Sequence, residues 1–234
     1  MEKTLRKAAV IFCELVNIGT CVWLIANGIL DNRLLLALVT IPLTLAPGLA
    51  ERVFRCKFRT PLYILCVLYS IGPMLGHTLN FYSLIPHWDK LLHITGGLVF
   101  AIAGYFLFQR MVDPRKTTAA AIFALCFSMA LSMTWEFYEF GSDTLLGTDT
   151  QADTVISSIT SHTFSPVMGE VGTIGPIESV VINGQTMDWG GYLDVGLHDT
   201  MMDMLLETLG AVGITVFFLA DKGKHPLARF REEE

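Results

Sequence analysis

The stretch TTAAAIFALCFSMALSMTWEFYEFGSD, residues 117–143, decides the fold. No Asp, Glu, Lys or Arg interrupts it before Glu136. An apolar run of about 20 residues is what a single α-helix needs to cross a hydrocarbon layer. At its far end Glu136, Glu139 and Asp143 follow one another at i, i+3 and i+7, which places three carboxylates on one helical stripe while Trp135, Phe137, Tyr138 and Phe140 face elsewhere. A carboxylate one turn inside an apolar layer costs several kcal/mol unless it is paired, protonated or bound to a cation. The stretch therefore announces both a membrane span and a polar site at its end.

Outward from this run, five further segments have the same character: residues 8–30, 34–49, 61–80, 88–109 and 199–220. The 34–49 segment is the shortest and carries Pro42 and Pro47, which predicts a kink or a re-entrant path. The composition agrees: 52% of residues are hydrophobic, 16% are charged, and the mean hydropathy is +0.52, a balance too apolar for an ordinary soluble domain. The expected fold is an all-α, polytopic membrane bundle of about six transmembrane helices, one integral membrane domain over residues 1–234. An extracytoplasmic insertion at 141–198 interrupts it.

Charge sorting gives the expected topology. Lys3, Arg6 and Lys7 precede the first span; Arg52, Arg55, Lys57 and Arg59 follow the second; Arg110, Arg115 and Lys116 follow the fourth; Lys222, Lys224, Arg229 and Arg231 follow the sixth. Basic residues near short loops stay cytoplasmic, so both termini are expected inside a bacterial inner membrane, with the terminal basic residues against anionic lipid headgroups. The opposite face keeps only Arg33 and Lys90 among a crowd of carboxylates. The first apolar run lacks a convincing small-residue cleavage site and is read as a retained helix. Cys13, Cys21, Cys66 and Cys126 lie in spans and Cys56 in a cytoplasmic loop, so no disulfide is expected. The scattered basic residues have no interleaved aromatic platform, which excludes nucleic-acid binding.

Residues 141–198 turn to Gly, Ser, Thr, Asp and Pro with short apolar runs. Val180-Val181-Ile182 followed by Asn183-Gly184 predicts a β-hairpin with a two-residue turn. Trp189 and Tyr192 suit the headgroup level, as interfacial anchors or as a platform for a substrate.

Two other runs complete the polar site. Asp89 and His93 are four residues apart and share a helix face, with Asp89 also suited to a first-turn cap. Asp199, Asp203 and Glu207 repeat at i, i+4 and i+8, so Glu207 lies about 12 Å further along its helix than Asp199. His198 adjoins the same boundary. This many carboxylates at one end of a bundle call for a multivalent cation or for raised pKa values. The expected ligands of a divalent metal, Zn, Mn, Mg or Ca, are Asp89, His93, Glu136, Glu139, Asp199 and Asp203. Asp143, His198, Glu207, Trp189 and Tyr192 are accessory or substrate-facing candidates.

Three functions fit. In the first, the protein is a metal-dependent hydrolase or transferase acting on a lipid or lipid-linked headgroup, with Glu136, His93 and Asp203 as the catalytic candidates. In the second it is a noncatalytic membrane module with a structural cation or partner site. In the third, Asp199, Asp203 and Glu207 line a cation or proton route, for whose continuation the inner half offers only Glu14, Asn17 and Asn27 of the first span. No serine elbow, phosphate-binding glycine loop or Cys-His protease pattern supports a metal-free enzyme.

The runs Asp89-Lys-Leu-Leu-His93, Trp135-Glu136 with Glu139, and Asp199-Thr-Met-Met-Asp203 resemble the YjdF-like family of small bacterial membrane proteins and, more distantly, the VanZ-like family. The resemblance covers roughly residues 86–219 and implies a polar site at Asp89, His93, Glu136, Asp199 and Asp203. It implies no agreed activity.

Overall fold

A computed structural model describes residues 1–113, 115–221 and 227–230. Lys222, Lys224 and Arg231 of the expected lipid-facing tail lie outside the described residues. The chain divides into two compact units, residues 1–132 with 206–234, and residues 133–205.

The first unit begins with α1 (Glu2–Ala26), α2 (Asn32–Leu43) and α3 (Ala46–Val53). Asp31 caps α2 by accepting the Arg33 amide, a standard way to satisfy an orphan donor. Pro42 removes an N–H from the last turn of α2, and the helix breaks at Thr44–Leu45 before α3 resumes. The kink expected from sequence is therefore present, yet α2 and α3 together still form one apolar segment, Asn32–Val53, long enough to span. Then come β1 (Cys56–Phe58), α4 (Thr60–Thr78), the single turn α5 (Phe81–Leu84) and α6 (Trp88–Met111).

Helix α7 (Thr117–Leu146) and helix α8 (Leu197–Asp221) each run through the boundary between the units. Among the described residues, five segments are long and apolar enough to cross a membrane by length and composition: α1, α2 with α3, α6, α7 and α8. The helical membrane bundle expected from sequence is therefore present, with five of its expected spans meeting this standard. The 61–80 segment folds as helix α4, but two prolines, two tyrosines, two glycines and His77 dilute its apolar character below that of the others.

Small residues set the packing of the first unit. A Cβ added at Gly97 of α6 would stand 1.9 Å from the Glu207 carbonyl oxygen of α8, and one at Gly210 would stand 2.1 Å from the Ile94 carbonyl oxygen. The two backbones touch where membrane helices characteristically use glycine. Gly213, one turn further along α8, has open space around it. Further along, Tyr105 of α6 stacks on Phe218 of α8 with ring centroids 3.8 Å apart. Ser128 of α7 donates to the Gly97 carbonyl at 2.9 Å. A separate core of Cys21, Leu24, Ala37 and Met74 joins α1, α2 and α4.

At the opposite end of α1 a polar knot ties four elements. Arg6 donates to Glu51 of α3 at 2.8 Å, to Thr60 of α4 at 3.3 Å and to the Phe58 carbonyl of β1, while its guanidinium lies 4.6 Å from the Tyr63 ring centroid. Glu51 also accepts the Phe58 amide at 2.7 Å. Strand β1 pairs antiparallel with β8 (Ala228–Phe230).

In the second unit, α7 continues to Leu146, past the expected start of the insertion at residue 141, and α8 begins at Leu197. Between them lie three antiparallel strand pairs: β2 (Thr154–Ile156) with β7 (Tyr192–Asp194), β3 (Ile159–Ser161) with β4 (Gly172–Ile174), and β5 (Val180–Ile182) with β6 (Gln185–Met187). The β5–β6 turn is the expected Asn183-Gly184, with φ of +51° and +82°. Left-handed conformation at both central positions is what a type I′ turn requires.

A candidate metal centre

Helix α6 supplies the first two groups. The chain enters it through Asn80 and His87, both at φ near +60°. Trp88 anchors the entry, donating its indole N–H to the Gly72 carbonyl at 3.2 Å and packing edge-on against Phe81. One turn of helix then brings Asp89 and His93 onto one face, as their spacing predicts. Asp89 Oδ1 lies 3.4 Å from His93 Nε2, and Asp89 Oδ2 pairs with Lys90 at 3.0 Å.

Helix α8 supplies the second side of the site. The glycine contact presses Glu207 against α6, and its Oε1 lies 3.7 Å from His93 Nδ1. The imidazole thus has a carboxylate oxygen near each nitrogen. His93 and Glu207 are buried, while the Asp89 side chain is one-third exposed. Glu207 Oε2 is buried with no hydrogen-bond partner among the described residues.

Tyr69 of α4 borders the same place. A Cβ at Gly96 would meet the Tyr69 hydroxyl at 2.7 Å and Glu207 Oε1 at 3.0 Å, so the missing side chain at Gly96 makes room for both groups. Sequence reading passed over Tyr69, because a tyrosine inside an apolar helix carries no pattern of its own. Because α8 is one uninterrupted helix, Asp203 sits one turn before Glu207 on the same stripe, and it is 1% exposed.

The remaining candidates separate into distinct roles. On α7, Ser128, Ser132, Glu136 and Glu139 form a buried polar stripe, while Trp135, Phe137, Tyr138 and Phe140 are exposed. The expected division between carboxylate and aromatic faces is therefore present. Asp143 is consumed by the chain that follows α7. Its Oδ1 accepts from the Thr148 hydroxyl and from the Thr150 amide and hydroxyl, its Oδ2 from the Gln151 amide, all within 2.7–2.9 Å.

Asp199 accepts the Ala152 amide at 2.9 Å, so it too holds this loop. The His198 side chain is exposed, and its amide is capped by Asp194 at 2.6 Å. Trp189 and Tyr192 are both exposed on the strand region. Asp149, in the loop between the two anchoring carboxylates, has its pKa raised by partial burial and by the charges of Asp153, Asp143 and Asp199.

This arrangement offers one imidazole and several carboxylate oxygens to a cation. Mixed nitrogen and oxygen donors suit Zn or Mn, and an oxygen majority suits Mg or Ca. Where a histidine binds a metal through one nitrogen, a carboxylate commonly orients the other. His93 has that second carboxylate whichever nitrogen is used.

Comparison with known proteins adds a family without adding an activity. An uncharacterized protein of Thermotoga maritima is 31% identical over 77 residues, a match covering 31% of this chain and 38% of that protein. No solved structure matches. Residues 10–223 match the family described as "Predicted membrane protein (DUF2238)". A match over nearly the whole chain, together with five apolar helices of spanning length, makes this protein a member of the DUF2238 family of predicted membrane proteins.

Proposed function

We propose that Asp89, His93 and Glu207, joined by Asp203 from the same stripe of α8, hold a divalent metal ion at the outer-leaflet level of an inner-membrane protein whose termini are cytoplasmic. The observation that carries this reading is His93, buried with a carboxylate oxygen 3.4 Å from one ring nitrogen and 3.7 Å from the other. Glu207 keeps a buried oxygen without a hydrogen-bond partner among the described residues. An ion coordinated at one imidazole nitrogen satisfies the orphaned oxygen and offsets the negative charge of the stripe.

On this reading the protein is a metal-dependent hydrolase or transferase of lipid or lipid-linked headgroups. A divalent ion there supplies Lewis acidity and a more acidic bound water. Asp89, one-third exposed, gives the access such a reaction needs, and Glu136, buried on α7, is the reserve base. Trp189 and Tyr192 are the aromatic residues suited to a headgroup platform. A structural cation is the second reading, favoured by the deep burial of Asp203 and Glu207 on a helix already in backbone contact with α6.

Elemental analysis of the purified, detergent-solubilised protein separates these from a metal-free site. Near-stoichiometric Zn, Mn, Mg or Ca is expected, and it should be lost in Asp89→Asn/Asp203→Asn. Equal, negligible metal in both proteins, with the variant folded, sinks the metal centre. Turnover of a lipid-linked substrate lost in Glu136→Gln with metal retained supports the enzyme. Chelation that lowers the melting temperature, with no activity in any lipid screen, supports the structural cation.

A further inference from the structure

The chain between α7 and α8 is folded without an interior of its own. Over residues 147–196 the only buried residues are Gly191 and Gly196, so no apolar side chain there is buried. Its three strand pairs have three residues per strand, and among the described residues none has a third strand on either edge. A lone two-stranded pair is marginally stable in water and needs a third strand or a covered apolar face. Here the apolar faces are open.

The densest run of them is on the β3–β4 hairpin. Phe164, Val167, Met168, Val171 and Ile174 are all exposed, Met168 completely. The tip nevertheless has a defined shape. The Val167 amide donates to Ser165 Oγ at 3.1 Å, and the Glu170 amide donates to the Val167 carbonyl at 3.2 Å. Gly172 passes so close to the tip that a Cβ there would stand 2.3 Å from the Phe164 carbonyl oxygen. An exposed apolar patch on an ordered segment marks a surface that another molecule covers.

Charge selects the occupant. Residues 117–221 contain no Lys or Arg. Within the insertion Asp149, Asp153, Glu170, Glu178 and Asp188 are exposed, and His162 is the one imidazole. A second copy would bring the same carboxylates to this surface, since the topology proposed above keeps its Lys and Arg, Arg33 and Lys90 excepted, on the other membrane face. Anionic lipid headgroups would likewise set negative charge against negative charge. Like charges across an interface oppose association, whereas a basic partner is drawn in. Each strand of the pair also keeps one open edge, whose unpaired main-chain groups accept an extended chain by β-strand addition.

We propose that the β3–β4 hairpin is a docking surface for an extended protein segment in which Lys or Arg alternates with aliphatic residues. The segment adds as a third strand, its aliphatic side chains cover Val167 and Met168, and its bases meet Glu170 and the neighbouring carboxylates. None of the residues of the metal centre takes part.

Hydrogen exchange of the full-length protein in an uncharged detergent tests this, with the synthetic peptide Lys-Val-Lys-Val-Lys-Val-Lys as probe. The peptide should slow exchange over residues 159–174 about tenfold. The protection should be lost in Val167→Ser/Met168→Ser and weakened in Glu170→Gln. Both side chains of the double variant are exposed, so its melting temperature should match that of the wild type. A peptide with Ser in place of Val should protect nothing. Absence of protection by the Val peptide, or equal protection by the Ser peptide, overturns the proposal. Protection without peptide that grows with protein concentration identifies a second copy as the occupant. Protection without peptide that appears only in nanodiscs identifies the bilayer. Either result also refutes it.

Discussion

Removing the Glu51 carboxylate should unfasten the end of the first unit at which α1 starts. In Glu51→Ala the Arg6 guanidinium loses its charged partner and the Phe58 amide loses its acceptor, at side chains only 12% and 14% exposed for Arg6 and Glu51. Breaking a buried ion pair from one side costs about 3–5 kcal/mol. Partial exposure and the surviving bonds of Arg6 to Thr60 and Phe58, with its contact to Tyr63, place this case at the lower end, about 3 kcal/mol. For a chain of this size that corresponds to a melting temperature lower by about 6–12 °C. Glu51→Gln keeps an acceptor for Phe58 and should lose about half as much. The assay is thermal unfolding in detergent of the wild type, Arg6→Ala, Glu51→Ala and the double variant. The double variant should lie well above the sum of the singles, since each removes the same pair. Strict additivity, or a shift below about 1 °C in Glu51→Ala, would refute the reasoning.

Gly97→Ala and Gly210→Ala each drive a methyl into a facing carbonyl and should cost about 2–4 kcal/mol, whereas Gly213→Ala, with open space around it, should be neutral; melting temperatures decide. Asp149→Asn should stabilise the second unit at pH 7. The raised pKa of Asp149 means that its proton favours the folded state, so the wild type loses that contribution as pH rises through the folded value. The difference between the two melting temperatures should vanish below the ordinary Asp range, and a constant difference from pH 3.5 to 7 would contradict this. Asp143→Ala removes every side-chain acceptor that the 148–151 segment uses on that residue. Limited proteolysis should then cut within residues 147–152 faster than in the wild type, with the helical core intact.

What the sequence disclosed was whatever depends on local period. Apolar length gave the helices, i and i+4 spacing gave Asp89 with His93 and Asp203 with Glu207, and Asn183-Gly184 gave the β5–β6 turn. The carboxylate stripe of α7 is buried and its aromatic neighbours are exposed, as their alternation required. What remained hidden depends on partners distant in sequence. The β1–β8 and β2–β7 pairs have only three residues per strand and no connecting turn. Tyr69 reaches the site only because Gly96 across from it has no side chain. The carboxylates also differ in ways that spacing cannot express: Asp143 and Asp199 bind loop amides, while Glu207 turns toward His93. Helix α4 differs from the other expected spans in composition, its apolar core being interrupted by prolines, glycines and tyrosines.

The contact of Gly97 and Gly210 with backbone carbonyls also acts as a gauge. Gly97 follows His93 by one turn, and Gly210 follows Glu207 by less than one, so the gap between these two side chains is set by two peptide backbones already in touch. The helices have no room to approach, and any added methyl forces them apart. Because these contacts are made to backbone carbonyls, they do not depend on which side chains stand at positions 89, 93 and 207. The size of what fits between them is therefore governed by residues that carry no side chain at all.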